Sequence, residues 1–449
     1  MGASTPRPHS SSRQTLPRLT KKILTFAVYA LVPLALLHYL ISSLPIADPS
    51  HSPLAPHGGN KEQQAGARKQ MLKVAPAAAR PRCDYSDGEW VRDAAGPRYN
   101  GSSCGGTIKD GQNCMAHGRP DKGYLYWRWR PRGHGCALPP FSPGEFLELV
   151  RGRHVAFVGD SLARNQCESL VCLLGSEFPA ELVLGAGGEG EEERKFRRWE
   201  FRSHNATVSV FWSPFLVNGT EKSSAPGGVD HNRLYLDQPD ERWAAELPGM
   251  DVVVLSIGHW FLHPAMYYER GAVIGCHHCP EPIHPETGFF GVFRLAVKNA
   301  LREIIARASS SAGRREKKLA VVATFSPAHF DGEWDSPDAC ARSEPYAPGE
   351  KEMRYMDREL WRTEVEEAAA AADEARVRGS AVTVEALQVT KLADMRADGH
   401  PGPYMHAGGG GGGGDRVAND CVHWCLPGPI DTWNEILLRM VKRWRQGPP

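Results

Sequence analysis

The sequence has almost no net charge. Its 53 lysines and arginines stand against 52 aspartates and glutamates in 449 residues, a formal balance of +1. A chain without a global basic field is not built to hold nucleic acid by its phosphates. Cysteine is missing from the first 82 positions, and all eleven cysteines fall after them. That one-sided placement argues against a cytosolic setting and for a disulfide-bearing luminal or extracellular domain. The C-x-x-C spacing occurs once, at Cys276-His-His-Cys279, with no second pair to complete a zinc site. A metal or redox role is weighed here against a local disulfide, and oxidising surroundings favour the disulfide. The odd count leaves at least one thiol unpaired or intermolecular.

Acidic residues are absent from positions 1–22, which carry Arg7, Arg13, Arg18, Lys21 and Lys22. They precede an uncharged apolar run, Ile23 to Leu44, long enough to span a bilayer. The basic side stays cytoplasmic, so the reading is a cytoplasmic tail (1–22), an uncleaved signal anchor (23–44) and a luminal remainder. The rival is a cleaved signal peptide, disfavoured by the length of the run and the poor cleavage site at Ser42-Ser-Leu-Pro-Ile-Ala47. Residues 45–80, rich in Pro, Ala and Gly, read as a stem with no chemistry of its own. From 81 to 137 the texture turns to Cys, Trp, Tyr, Gly and Arg, with four cysteines and few aliphatics. That is a small disulfide-stapled module packed on a larger domain. Most of its Trp and Arg residues cover that domain; stacking on sugars is the rival role.

The rest of the chain, 138–449, is organised around Val155–Val158, an apolar run that stops at Gly159-Asp160-Ser161 before a helical pattern runs to Gly175. A strand turning sharply into a helix presents Ser161 at a helix N-terminus, where unpaired N–H groups can hold an oxyanion. An N-capping serine would look the same. Near the other end, Asp420-Cys-Val-His423 offers a carboxylate three residues before an imidazole, as a serine nucleophile requires. Cys421 and Cys425 bracket that histidine. The order, with Ser early and Asp-x-x-His just before the last helix, is that of GDSL-type esterases.

Between these ends, Ser142-Pro-Gly-Glu145 opens a helix with its own cap. Strands are expected at 208–211, 251–257, 319–325 and 382–389, and helices at 293–308, 350–378 and 431–443. Gly185 to Arg198 reads as a solvated insertion, and Gly408 to Gly414 as a surface insertion. Strands alternating with helices predict a three-layer α/β domain with a mostly parallel sheet. Ligands bind such sheets beyond the carboxyl ends of the strands, and Ser161, His259 and His329 all fall there, as cleft or supporting residues. Asn100-Gly-Ser, Asn205-Ala-Thr and Asn218-Gly-Thr fit N-glycosylation in a luminal domain.

Several motifs in order carry a resemblance: Gly88-Glu-Trp90, Gly118-Arg-Pro-Asp121, Trp127-Arg-Trp129, Gly159-Asp-Ser-Leu-Ala-Arg-Asn-Gln166, Gly258-His-Trp260 and Asp420-Cys-Val-His-Trp-Cys425. From Cys83 to about Trp444 the chain resembles the plant trichome birefringence-like polysaccharide O-acetyltransferases of the Golgi. Ser256-Ile-Gly-His-Trp-Phe-Leu-His-Pro264, with Gly275-Cys-His-His-Cys279 and Phe330-Asp-Gly-Glu-Trp334, looks like the xyloglucan-acetylating branch. Many relatives have Asn-Thr where this chain has Ser256-Ile257.

The resemblance implies a GDSL/SGNH-type fold and a luminal Golgi enzyme with a Ser161–His423–Asp420 triad. Gly159, Asp160, Arg164, Asn165, Gly258 and His259 would form the neighbourhood of substrate and oxyanion. It implies disulfides Cys83–Cys136, Cys104–Cys172, Cys114–Cys425 and Cys340–Cys421, leaving Cys276 and Cys279 to pair and Cys167 as the odd thiol. No metal or bound cofactor is expected. An acetyl donor is consumed, acetyl-CoA being one candidate, with a donor-supplying membrane protein as a candidate partner. The acceptor is a cell-wall polysaccharide: xyloglucan, or else xylan, mannan or pectin. An acetylesterase using the same triad and a non-catalytic glycan-binding protein are the rival functions.

Overall fold

The computed structural model describes residues 83–447 apart from 134, 185–194, 224–227, 280–283, 311–316, 337 and 407–416. The expected tail, anchor, stem and glycine run all lie outside the described residues. Among the described residues, no helix is long and apolar enough to cross a membrane.

In chain order the strands and longer helices are β1 (Gly88–Arg92), β2 (Trp127–Pro131), α1 (Pro143–Leu149), β3 (His154–Gly159) and α2 (Ser161–Gly175). Then come β4 (Glu181–Leu184), β5 (Phe196–Phe201), β6 (Ala206–Trp212), β7 (Val217–Thr220), β8 (Asn232–Pro239) and β9 (Val252–Ser256). They are followed by β10 (Ala265–Glu269), β11 (Ala272–His277), α3 (Phe290–Ser310), β12 (Lys318–Ala323), α4 (Tyr355–Val377), β13 (Val382–Leu387) and α5 (Asp431–Gln446).

The main sheet runs β13-β12-β9-β3-β6-β5-β4. It is parallel from β13 to β6 and antiparallel across β5 and β4. The interiors of β3, β9 and β12 are apolar on both faces because both faces are covered. Val155, Phe157, Val252 and Val254 pack in one core with residues of α2 and α5. Ala156, Val158, Val253 and Leu255, one residue out of phase, pack in a second core with α3 and α4. The period of two thus separates two helical layers around one sheet.

A further four-stranded mixed sheet, β11-β10-β8-β7, was not legible as a unit. Two expectations need correction. The tail of the supposed insertion Gly185–Arg198 is not loop, because β5 pairs residue for residue with β6. Trp199 and Phe201 are buried there while their neighbours are not, the alternation of a half-covered strand. Helix α4 begins at Tyr355 rather than Glu350. The Glu350 carboxylate accepts the Ala347 N–H at 2.7 Å and pairs with Arg342, closing a turn ahead of the helix.

The N-terminal module packs on this domain through its aromatic motifs. Trp90 and Trp129 are buried and meet edge to face at 5.5 Å, and Trp90 Nε1 donates to Leu392 O. Two disulfides tie the module to the main domain: Cys104–Cys172 reaches α2, and Cys114–Cys425 reaches the segment just after His423. Cys83–Cys136 closes the module itself, while Cys340–Cys421 and Cys276–Cys279 lie within the main domain. Cys167 is a free, buried thiol whose pKa burial pushes well up, an inert core residue.

Candidate active site

Strand β3 ends at Gly159, whose φ is +154°; a Cβ there would stand 1.8 Å from Ser256 O on the neighbouring strand. Only glycine lets the two strand ends approach this closely. Asp160 follows as the N-cap of α2, its N–H donating to Ser256 O at 3.1 Å and its Oδ1 accepting the Leu162 N–H at 2.9 Å. Fixed from both sides and fully buried, Asp160 fixes where Ser161 begins the helix. Ser161 itself is half-buried.

The loop that carries His423 is held just as tightly. Gly402 and Asp420 exchange backbone hydrogen bonds. The Asp420 Oδ1 accepts the N–H groups of Val422 and His423 at 3.1 and 2.9 Å, and its Oδ2 accepts from His423 Nδ1 at 2.7 Å. A carboxylate on Nδ1 fixes the proton there and leaves Nε2 with its lone pair. That Nε2 is buried and has no hydrogen-bond partner in the protein. Burial alone would raise the Asp420 carboxyl, but the charge and hydrogen bonds of His423 and the Val422 N–H outweigh it and hold the group well below the usual carboxylate range.

What joins the two halves is Asn165, one helical turn after Ser161. It is fully buried, its Oδ1 accepting the Trp424 N–H at 2.8 Å and its Nδ2 donating to Trp424 O at 3.2 Å and Gln112 Oε1 at 3.1 Å. Its amide is thus used in clasping the residue after His423 to the helix that begins at Ser161, and it does not line the cleft. His423 and Asp160 lie close enough to interact: burial raises the Asp160 carboxyl to about 6, while the Leu162 and Gly258 N–H groups and the charges of His423 and Arg164 oppose that rise.

The remaining candidates sort by what they touch. Gly258, at φ +158°, allows the chain to pass the Phe325 ring, which a Cβ would meet at 2.3 Å. His259 follows it, and its Nε2–H donates to Ser326 O at 2.8 Å; burial lowers its pKa to about 4, so the ring is neutral. Ser326 Oγ in turn accepts from Trp424 Nε1 at 3.0 Å. The Arg164 guanidinium lies over the Trp212 ring, 5.6 Å from its centroid. Trp212 meets Trp260 edge to face at 5.5 Å, and Trp260 meets His263 at 5.4 Å. These aromatics stand at the carboxyl ends of β6 and β9, the same edge as Ser161.

His329 has both ring nitrogens occupied. It is buried, with Nδ1 2.7 Å from His400 Nε2, Nε2 2.9 Å from Asp394 O, and its N–H on Cys421 O. His400, which sequence reasoning missed, stacks on Trp424 and donates from Nδ1 to His423 O at 2.7 Å. Arg119, from the Gly118-Arg-Pro-Asp121 motif, is buried and holds His400 O and Asp398 O, both at 2.6 Å. The N-terminal module therefore buttresses His400, which in turn holds the His423 backbone.

Two other places hold no part of this chemistry. Cys276, Cys279 and Glu286 offer ligand atoms within 4.8 Å of one another, but the sulfurs are bonded to each other and provide no thiolate. A cavity of about 310 Å³ lined by Tyr124, Arg128, Asp431 and Glu435 contains none of Ser161, Asp420 and His423. Asn100, Asn205 and Asn218 are all exposed.

Comparison with known proteins agrees with this geometry. Residues 138–440 match the profile of the GDSL/SGNH-like acyl-esterase family found in Pmr5 and Cas1p, and residues 81–137 match the PMR5 N-terminal domain. The chain is 50% identical over 430 residues to xyloglucan O-acetyltransferase 1 of Populus trichocarpa, covering 95% of this chain and 94% of the relative. It is 46% identical over 444 residues to xyloglucan O-acetyltransferase 1 of Arabidopsis thaliana, covering 97% and 99%. To the Arabidopsis thaliana protein trichome birefringence-like 20 it is 37% identical over 365 residues, covering 80% and 72%.

Proposed function

The chain belongs to the GDSL/SGNH-like acyl-esterase family found in Pmr5 and Cas1p, and from that premise we propose that it is a polysaccharide O-acetyltransferase acting on xyloglucan. The observation that carries the chemistry is the buried, unpartnered Nε2 of His423, oriented by Asp420 and clasped to the helix that begins at Ser161. The substrate rests on relatives named xyloglucan O-acetyltransferase that match over nearly their whole length.

The reaction is a double displacement. His423 Nε2 takes the Ser161 hydroxyl proton as Oγ attacks the donor's acetyl carbonyl. The tetrahedral oxyanion is held by backbone N–H at the start of α2, where the Leu162 N–H is already taken by Asp160 and Ser161's own is the first candidate. Collapse expels the donor's leaving group, which receives the proton from His423. A sugar hydroxyl then gives its proton to Nε2 and attacks the acetyl-enzyme, and Ser161 leaves with that proton. The donor is an activated acetyl compound such as acetyl-CoA; no step needs a metal. The enzyme sits in the Golgi membrane by the anchor 23–44 with its catalytic domain luminal.

Intact-mass spectrometry after incubation with an acetyl donor is expected to find one acetyl adduct, absent in Ser161→Ala. Xyloglucan, xylan, mannan and pectin fragments competing in one tube are expected to give acetylated xyloglucan alone. Substantial transfer by a folded Ser161→Ala protein would sink the mechanism; another glycan modified would change the substrate only. The family's esterase name supports one rival, hydrolysis with water as the second nucleophile. Acetate released from acetylated glycan without donor-dependent transfer would select it.

A further inference from the structure

Of the chain's twelve tryptophans, all of them described, only Trp334 is exposed, at 60%. It stands on a segment that is anything but loose. Asn419, the residue before Asp420, donates from Nδ2 to Trp334 O at 3.2 Å and to Ser336 O at 2.7 Å. Val417 N–H donates to Asp335 O at 2.9 Å, and Asp331 N–H to Ala339 O at 2.7 Å. At the segment's two ends, His329 N–H bonds Cys421 O and Cys340 is disulfide-bonded to Cys421. The backbone that carries the ring is therefore bolted to the backbone that carries the triad's carboxylate, while the ring itself is left in water.

A large planar apolar group kept exposed on a fixed support is the usual arrangement for stacking against another flat face. The occupant is marked by the residues that flank Trp334 along the chain. Residues 330–338, Phe-Asp-Gly-Glu-Trp-Asp-Ser-Pro-Asp, contain no lysine or arginine. Asp331 and Glu333 are exposed on the ring's N-terminal side, and Phe330, 36% exposed, adds a second aromatic surface. Carboxylates accept hydrogen bonds from hydroxyl groups and repel anions. The geometry points to Trp334 as an acceptor subsite: a platform for a neutral pyranose ring of the glycan, next to the ring that receives the acetyl group, selecting against anionic pectic chains. This rests on the acetyl-transfer reading above.

The test separates the two. Binding of a xyloglucan heptasaccharide to the full-length Ser161→Ala protein is measured by calorimetry, alone and with Trp334→Ala or Trp334→Phe added. Polygalacturonate fragments serve as the anionic probe. Removing the ring is expected to weaken heptasaccharide binding about five- to tenfold, the scale of one aromatic contact. Phenylalanine is expected to restore most of it, and polygalacturonate to bind poorly. In the otherwise wild-type enzyme, Trp334→Ala is expected to raise KM for the acceptor and leave acetate release from p-nitrophenyl acetate unchanged. Equal heptasaccharide affinity with and without the ring would overturn the subsite, even in an active transferase. Tight polygalacturonate binding through Trp334 would overturn the neutral-ligand assignment. Ring-dependent binding in a protein that transfers no acetyl group would uphold the subsite and remove the reading beneath it.

Discussion

Replacing Asp420 by asparagine tests the site where its geometry is most constrained. The carboxylate serves three donors: the N–H groups of Val422 and His423 on Oδ1, at 3.1 and 2.9 Å, and His423 Nδ1 on Oδ2, at 2.7 Å. An asparagine has one oxygen to offer. If that oxygen keeps the two backbone donors, which shape the loop, its amide NH₂ faces His423 Nδ1. The imidazole must then accept at Nδ1 and carry its proton on Nε2, the position that has to be a lone pair. The wrong tautomer of a triad histidine lowers turnover by about 10³–10⁴-fold, or roughly 4–5.5 kcal/mol in the barrier. The assay is the pre-steady-state burst of nitrophenolate from p-nitrophenyl acetate, with intact mass reporting the acetyl-enzyme. Thermal melting checks that the loop's disulfide-tied frame is intact. A folded Asp420→Asn protein that acetylates within tenfold of wild type would refute the assignment of Asp420 as the group that sets the tautomer.

Two further perturbations probe the supports. Asn165→Ala removes both hydrogen bonds to the Trp424 backbone and the one to Gln112. It is expected to destabilise the fold by about 1–3 kcal/mol, as unpaired buried groups do, and to slow acetylation at least tenfold, read by melting and by the same burst. Glu364 is fully buried, with Oε2 accepting the Phe325 N–H and Oε1 unpartnered; burial pushes its carboxyl well up, the Asp160 charge adds to this and the Phe325 N–H opposes it. Its stabilising contribution is therefore complete below the unfolded carboxyl value and is lost as pH rises toward the folded one. Glu364→Gln removes that dependence, so the variant is expected to gain on wild type by roughly 1.4 kcal/mol per pH unit within that window. Melting curves that stay parallel from pH 5 to 8 would contradict it.

The parts of the fold that the sequence announces are those where one signal suffices. The parallel strands β3, β9 and β12 are short apolar runs because both faces are buried, and no polar residue interrupts them. β5, with Arg197, Arg198 and Glu200 among its aromatics, reads as a charged insertion until β6 is beside it. β8 mixes Asn232, Arg233, Asp237 and Gln238 with its leucines, and only pairing to β7 and β10 identifies it. The site divides in the same way. Ser161 follows from a strand that turns into a helix, and Asp420 with His423 from a three-residue spacing. His400 carries no local signal, because its partners are His423 O, 23 residues on, and His329, 71 residues back.

Asn165 is the instructive case, since its position was legible and its task was not. It stands four residues after Ser161 in α2, so the helical period puts both on one face. Proximity in sequence suggests a second group aimed at substrate. Depth decides otherwise: Ser161 opens the helix at the sheet's carboxyl edge, and one turn inward Asn165 meets the loop that carries His423. There an amide, with one acceptor and two donors, can satisfy both the N–H and the C=O of Trp424 at once. A carboxylate, which only accepts, could satisfy the N–H alone. The run from Gly159 to Asn165 therefore works as one device: the glycine admits the turn, the aspartate caps it, the serine opens the helix, and the asparagine ties that helix to the residue after His423. The link between the helix that starts at Ser161 and the loop that carries His423 is then one side chain, four residues into that helix.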